Sequence, residues 1–201
     1  MDTNIDDIRH IRSMMERSSK FLSLSGMSGV SAGTIALLGA IVAYFILEGK
    51  LSITGSLLYD LILITAVVLV CSAWAGFYFS ARKAHKHNSK FWMPVTWQIL
   101  LDFSIPMIIG GLICFIFIFK HLSYLILPFM LIFYGISLIY AGARTYRDIK
   151  ILGACEVVLG LVAIAVDQYG LLFWAIGFGV LHIVYGIVMY YKYDIKADKN
   201  G

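Results

Sequence analysis

Long apolar runs alternate with short polar connections along this chain of 201 residues. Each run has roughly the 20 residues that a helix needs to cross the hydrocarbon of a bilayer. None shows the short alternating segments of a spanning β-strand. Backbone groups in lipid must be satisfied within their own segment, so the pattern predicts an all-α, polytopic transmembrane bundle. Its six helices are expected near 21–47, 57–81, 95–119, 122–143, 150–167 and 170–191.

The polar connections divide the chain into three parts. Residues 1–20 place apolar side chains at helical spacing between charges, which predicts an amphipathic segment on the cytoplasmic membrane face. A frayed tail or a partner-docking helix fits the same pattern. Residues 21–194 are expected to form one transmembrane domain, and residues 195–201 a polar tail. Within this domain the helices pair into three parallel hairpins, 21–83, 95–147 and 148–194.

Composition agrees with a lipid environment. Hydrophobic residues make up 60% of the chain, and the mean hydropathy is +0.85. Charged residues make up 14%, whereas soluble domains carry about 25%. All but two of the 16 Lys and Arg residues lie before the first helix, after the sixth, or between helices two and three or four and five. The positive-inside rule then predicts cytoplasmic termini in an inner or plasma membrane. Because the positive charge follows this membrane pattern, the net charge of +4 does not indicate nucleic-acid affinity, and no nucleic-acid partner is expected.

Small residues recur in the first helix, where Ser25, Gly29 and Gly33 are four residues apart. This spacing lets helix backbones approach closely, so it predicts tight packing within the bundle or a homo-oligomer through this face. The serines of this helix, Ser28 and Ser31 among them, could instead line a polar cavity. Membrane lipids are the other partner that we expect.

Three ionisable residues, Asp102, Glu156 and His182, lie inside the predicted helices. A charge at the centre of a spanning helix costs at least about 2.5–3.5 kcal/mol, so such residues tend to face the bundle interior and find partners. We expect Glu156 and His182 to pair, with Asp102 nearby. The candidate polar cluster is completed by Arg144 as the cation for Asp102, and by Gln98, Ser28 and Ser31. It fits either a proton- or ligand-binding site open to the cytoplasm, or polar contacts that only hold helices together.

No complete catalytic or metal-binding pattern is found in the sequence. HExxH is absent, and the one GxSxG string, Gly29-Val30-Ser31-Ala32-Gly33, lies inside an apolar helix with no base nearby in sequence. The cysteines lack metal-ligand spacing. We therefore predict no catalytic residue, metal or cofactor. The three cysteines, Cys71, Cys114 and Cys155, lie in apolar helices and are expected to be buried free thiols.

Glycine positions suggest an internal repeat. The odd-numbered helices share two apolar residues before glycine, in Leu37-Leu38-Gly39, Ile108-Ile109-Gly110 and Val158-Leu159-Gly160. The even-numbered helices share a glycine near their cytoplasmic ends, at Gly76, Gly135 and Gly186. The pattern predicts three parallel repeats about an axis along the membrane normal, unlike the inverted repeats of many transporters.

The stretch ILGACEVVLGLVAIAVDQYGLLFWAIGFGVLHIVYGI resembles the two-helix repeat of HdeD-like acid-resistance membrane proteins. The resemblance is clearest over 149–191, weaker over 97–143 and faint over 21–83. It implies a bacterial inner-membrane protein of six helices with cytoplasmic ends and a role in stress. It implies no mechanism, and Glu156 and Asp102 are not hallmarks of that family.

Three functions fit these observations. The first is a non-enzymatic membrane protein that acts in envelope stress or within a membrane complex. The second is a small transporter or channel that uses Asp102, Glu156 and His182. The third is an intramembrane enzyme that acts on a lipid-like substrate. A polar pathway from both faces would favour the second, a dead-end cavity open to lipid the third, and a dry, glycine-packed core the first.

Overall fold

A computed structural model describes residues 24–86, 92 and 94–195. Within these residues the fold is all-helical, with no strand. The amphipathic segment predicted for residues 1–20 and the polar tail from residue 196 lie outside the described residues. Six long helices follow one another: α1 (Gly26–Leu47), α2 (Leu57–Lys86), α3 (Pro94–Phe119), α4 (Ile126–Ala141), α5 (Arg147–Ala165) and α6 (Gly170–Asp194).

Five of the described helices are long and apolar enough to cross a membrane: α1, α2, α3, α4 with the turn before it, and α6. This confirms the prediction of a helical membrane bundle. Helix α5 is a regular helix of 19 residues, and its charged fraction is higher than that of the other five because Arg147, Asp148, Lys150 and Glu156 fall within this short length. Helix α2 continues to Lys86, beyond the predicted end of the run at residue 81.

The helices pack against helices of other predicted hairpins as well as against their own hairpin partners. Helix α1 lies between α2 and α6, and α4 lies between α3 and α5. Helix α6 joins the two groups through smaller contacts with α5 and α4. Helices α2 and α3 are at the ends of this arrangement. Only 6% of the residues in the apolar stretch of each helix are buried. Their apolar side chains suit contact with lipid.

Close backbone contact joins α4 to α5. A Cβ added to Gly135 would lie 2.5 Å from the carbonyl oxygen of Gly153 and 2.9 Å from the amide nitrogen of Val157. A Cβ added to Gly160 would lie 3.1 Å from the amide nitrogen of Ile132. The two backbones therefore touch at both glycines, which is the geometry that drives helix association in lipid.

Helices α6 and α1 meet in the same way. A Cβ on Gly33 would lie 2.9 Å from the amide nitrogen of Ile183, and one on Gly29 would lie 3.1 Å from the carbonyl oxygen of His182. Ser25, at the start of the same face, is buried. The face offered by the sequence for a homo-oligomer is thus covered by α6 of the same chain.

The two sets of glycine contacts correspond to each other at positions that the sequence pattern did not align. Gly33 occupies the place in the α6–α1 contact that Gly160 occupies in the α4–α5 contact. The sequence pattern instead aligned Gly39 with Gly160. Gly39 packs against the Val68 side chain of α2, because it lies on a different face of α1 from Gly33.

Ion pairs gather the basic ends of the helices at one end of the bundle. Lys83 Nζ of α2 lies 2.7 Å from Asp194 Oδ1 of α6. The same aspartate accepts a hydrogen bond from the Gly26 amide at the start of α1. Lys192 donates to Asp148 at 2.9 Å and so links α6 to α5. A further pair joins Asp102 of α3 to Arg144, just after α4. At the opposite end, buried Asp60 accepts hydrogen bonds from Ser52, Ile53 and Thr54 and fixes the α1–α2 loop.

Candidate polar site in the bundle core

Three polar side chains meet where α4, α5 and α6 come together. His182 Nε2 lies 2.7 Å from the Tyr134 hydroxyl, and His182 Nδ1 lies 3.4 Å from Glu156 Oε1. Glu156 is 0% exposed and His182 is 6% exposed. The two residues that the sequence expected to pair are therefore neighbours, with a tyrosine as the third member.

A wide, π-helical stretch in α6, Ala175–Leu181, precedes the histidine. Such stretches are frequent at functional sites. The Gly177 carbonyl oxygen in this stretch lies 3.0 Å from His182 Nδ1. A Cβ at position 177 would collide with Glu156 Oε2 and with the Leu131 side chain, so a glycine is required for the glutamate to fit.

The hydrogen bonds fix the protons on the histidine ring. A carbonyl oxygen can only accept, so Nδ1 must carry the hydrogen that it donates to Gly177. In a neutral imidazole Nε2 then accepts from the Tyr134 hydroxyl. If Nε2 were also protonated, the tyrosine would have to turn its hydrogen away and accept instead. The same two neighbours thus accommodate His182 with or without an added proton.

Glu156 is the unsatisfied member of the cluster. Neither of its carboxyl oxygens has a hydrogen-bond partner within the described part of the chain. More than nine in ten buried polar groups in proteins have one, so an exception calls for a functional or solvent-based explanation. The nearest donor, His182 Nδ1, is already directed at Gly177.

Apolar and aromatic side chains enclose the cluster. Leu131 is 0% exposed, and the Phe178 ring lies 4.7 Å from that of Tyr134 and 6.0 Å from that of His182, measured between centroids. Phe103 of α3 meets the Tyr134 ring edge-on at 5.7 Å. Together with the glycine contacts, these rings form a closely packed core around the cluster.

The remaining residues of the predicted cluster lie elsewhere. Asp102 accepts a hydrogen bond from Arg144 Nε at 2.8 Å, in a pair whose side chains are 28% and 42% exposed. Gln98 is exposed. Ser28 and Ser31 are half-buried in α1, and the Ser28 hydroxyl donates to the Ser25 carbonyl. The structure therefore separates a buried site from an interfacial ion pair.

Sequence reasoning missed Tyr134 as a site residue. The sequence feature that could have identified it is a tyrosine in the middle of an apolar helix, because a buried phenol needs a hydrogen-bond partner. It also missed the role of Asp194 in joining α6 to α1 and α2. That contact brings together residues far apart in the sequence, and no local pattern encodes it.

Across residues 24–86 and 94–195, no three His, Cys, Asp or Glu side chains come close enough to hold a metal ion. In comparisons with known proteins, no family model, no curated protein and no solved structure matches this chain.

Proposed function

We propose that this chain is a six-span protein of a bacterial inner membrane that acts without catalysis, in envelope stress or within a membrane complex. We further propose that Glu156 and His182 form a proton-binding site. The observation that carries the proposal is the Glu156 carboxyl, wholly buried and unpartnered, 3.4 Å from the histidine ring.

The charged residues of α5 lie at its end or are shielded by neighbouring helices, as expected for a helix that crosses a membrane. Arg147 and Lys150 lie in its first turn, and Asp148 is paired with Lys192 of α6. The remaining charge, Glu156, is shielded from lipid by α4 and α6. The other basic ends lie at the same end of the bundle, which the positive-inside rule assigns to the cytoplasm.

Cysteine labelling tests this topology. We expect a membrane-impermeant maleimide to label Gln168→Cys from outside the cell and Ala143→Cys only after the membrane is permeabilised. These two exposed positions flank α5. Labelling of both from the same side would show that α5 does not cross.

The case for proton binding rests on charge in a medium of low dielectric. An unpaired carboxylate buried away from water is strongly unfavourable, and so is an unpaired imidazolium. One proton held between Glu156 and His182 leaves the pair with no net charge, either as acid and neutral imidazole or as an ion pair. Tyr134 and Gly177 provide hydrogen bonds to the ring in both arrangements.

The same core argues against catalysis and conduction. Glu156 has no accessible surface, so a substrate cannot reach its carboxyl without a rearrangement of α4, α5 or α6. The serines of α1 make no described hydrogen bond to the cluster and do not extend it into a polar path. A transporter remains the second candidate, favoured by the presence of ionisable groups within the spans.

Infrared difference spectroscopy of the protein in membranes tests the proton site. We expect a carboxylic-acid carbonyl band that disappears in Glu156→Gln and shifts in His182→Gln. The matched control is Glu48→Gln, an exposed glutamate of the α1–α2 loop, which should leave the band unchanged. The proposal fails if neither a carboxylic-acid band nor, for the ion pair, an imidazolium band depends on Glu156.

Proton flux in proteoliposomes separates the two candidates. We expect the wild-type protein to add no flux above that of empty vesicles. A flux that is present in the wild type and lost in Glu156→Gln would replace the first candidate with the transporter.

A further inference from the structure

An apolar groove runs along the outer side of α5 and α6, apart from the buried polar site. It has a volume of about 580 Å³, within the range of about 300–1,000 Å³ that is usual for ligand pockets. One end is basic and the remainder is apolar. The lining includes Arg147, Lys150, Ala154, Cys155, Val158 and Leu181.

The groove follows from how the two helices are built. On α5 the lining residues recur at helical spacing on one face, and Ala154 leaves a hollow where a larger side chain would fill it. On α6 the lining residues Ile176 and Leu181 belong to the π-helical stretch. The prediction that all three cysteines are buried is wrong, because Cys71 and Cys155 are exposed free thiols and Cys114 is half-buried. Cys155 lies in this groove.

Two cations, Arg147 and Lys150, lie at one end of the groove. Arg147 and Lys150 are exposed, and neither has an ion-pair partner among the residues that the structure describes. Asp148, which lies between them in sequence, is directed away from them to Lys192 and Tyr193 of α6. The groove mouth therefore carries positive charge at the end where the other ion pairs gather.

The length of the groove matches one leaflet. From Lys150 to Val162 the helix rises by about 18 Å at 1.5 Å per residue. Half of the hydrocarbon thickness of a bilayer is about 15 Å. An acyl chain whose headgroup sits at Lys150 would thus lie along the groove to its apolar end.

We propose that this groove binds one anionic phospholipid. Its phosphate lies between Arg147 and Lys150, and one acyl chain lies along Ala154, Val158 and Val162. Basic sites between helices at the cytoplasmic side are suited to anionic headgroups. The inference does not depend on proton binding at Glu156, because the groove residues lie on the lipid-facing side of α5.

Native mass spectrometry of the purified protein tests the proposal. The probes are phosphatidylglycerol and phosphatidylcholine with identical acyl chains. We expect the wild type to retain phosphatidylglycerol preferentially, and Arg147→Gln with Lys150→Gln to weaken that binding about 20–30-fold, from roughly 1 kcal/mol for each cation. The matched control is Arg82→Gln with Lys86→Gln, which removes two cations from the same end of α2 and should leave the preference unchanged.

A second pair of variants tests the acyl-chain part of the groove. Ala154→Phe should fill the hollow and reduce retention of both lipids, whereas Ala73→Phe, on the exposed face of α2, should not. Bound phosphatidylglycerol should also slow the alkylation of Cys155 relative to that of the exposed Cys71.

Two results would overturn the inference. One is equal retention of phosphatidylglycerol by the groove double variant and its control. The other is displacement of the lipid by glycerol phosphate at the same concentration as by phosphatidylglycerol, which would show an anion site without an acyl-chain groove.

Discussion

The α4–α5 and α6–α1 interfaces are built alike, yet they differ at one matching position, which is an ionisable residue in the first and a glycine in the second. Gly153 of α5 faces the carbonyl oxygen of Gly135, just as Gly26 of α1 faces that of Gly186. The positions correspond at a constant offset in sequence on each side of the contact. At that offset, Glu156 of α5 corresponds to Gly29 of α1.

The two interfaces differ in what lies beyond them. At Gly29 the neighbouring backbone of α6 leaves no room for a long side chain. At Glu156 the side chain passes its own interface and reaches α6, where the π-helical stretch and Gly177 make space for the carboxyl. Backbone contact through glycine is therefore common to both interfaces. The polar site is present at only one of them, because the third helix, α6, leaves space there for the carboxyl.

The largest expected effect on stability comes from the glycine contacts that both interfaces share. Gly135→Ala should lower the free energy of unfolding by about 3 kcal/mol, because the new methyl group meets the backbone of α5, which cannot move aside easily. Unfolding in mixed detergent micelles measures this. Gly29→Ala is the control and should lower it by less than about 1 kcal/mol, since its nearest neighbour would be at 3.0 Å. Equal losses would show that the contacts do not differ as described.

The second effect concerns the residue that distinguishes the interfaces. Glu156→Met should raise the free energy of unfolding by about 2 kcal/mol, because it replaces an unpartnered buried carboxyl with an apolar side chain of similar length. The same micelle assay measures it, with Glu48→Met as the exposed control. A loss of stability would mean that Glu156 holds the helices together, which is the structural interpretation.

A smaller effect is expected at the tyrosine. Tyr134→Phe should lower the free energy of unfolding by about 1 kcal/mol, through loss of the hydrogen bond to His182. In a His182→Gln background the loss should be smaller, and a double-mutant cycle gives the coupling. Tyr140→Phe removes an exposed hydroxyl and serves as the control. Additive losses would argue against the hydrogen bond.

The smallest effect is expected in α2, at the end of the packing order. A Cβ on Gly76 would meet no atom within 4 Å. Gly76→Ala should therefore raise the free energy of unfolding by about 0.5 kcal/mol through helix propensity alone. A clear loss of stability in the same assay would reveal a close partner for α2 in the membrane.

The membrane class, the all-helical fold and the positions of most helices could be predicted from the sequence. Apolar runs of bilayer length permit few other folds, because backbone N–H and C=O groups in lipid must be hydrogen-bonded within the protein. The sequence also named Glu156 and His182 as neighbours, because a buried ionisable group needs a partner and the two lie on consecutive helices. It placed Asp102, Gln98, Ser28 and Ser31 in the same cluster, and the structure separates them from it.

Tertiary structure alone decided which faces meet. Helix periodicity marks a small-residue face but does not say what covers it, so the Gly29 and Gly33 face could not be assigned to α6 rather than to a second copy. Tyr134, Gly177 and the π-helical stretch became a site only when three helices came together, because their hydrogen bonds and steric limits depend on distances that no local pattern specifies.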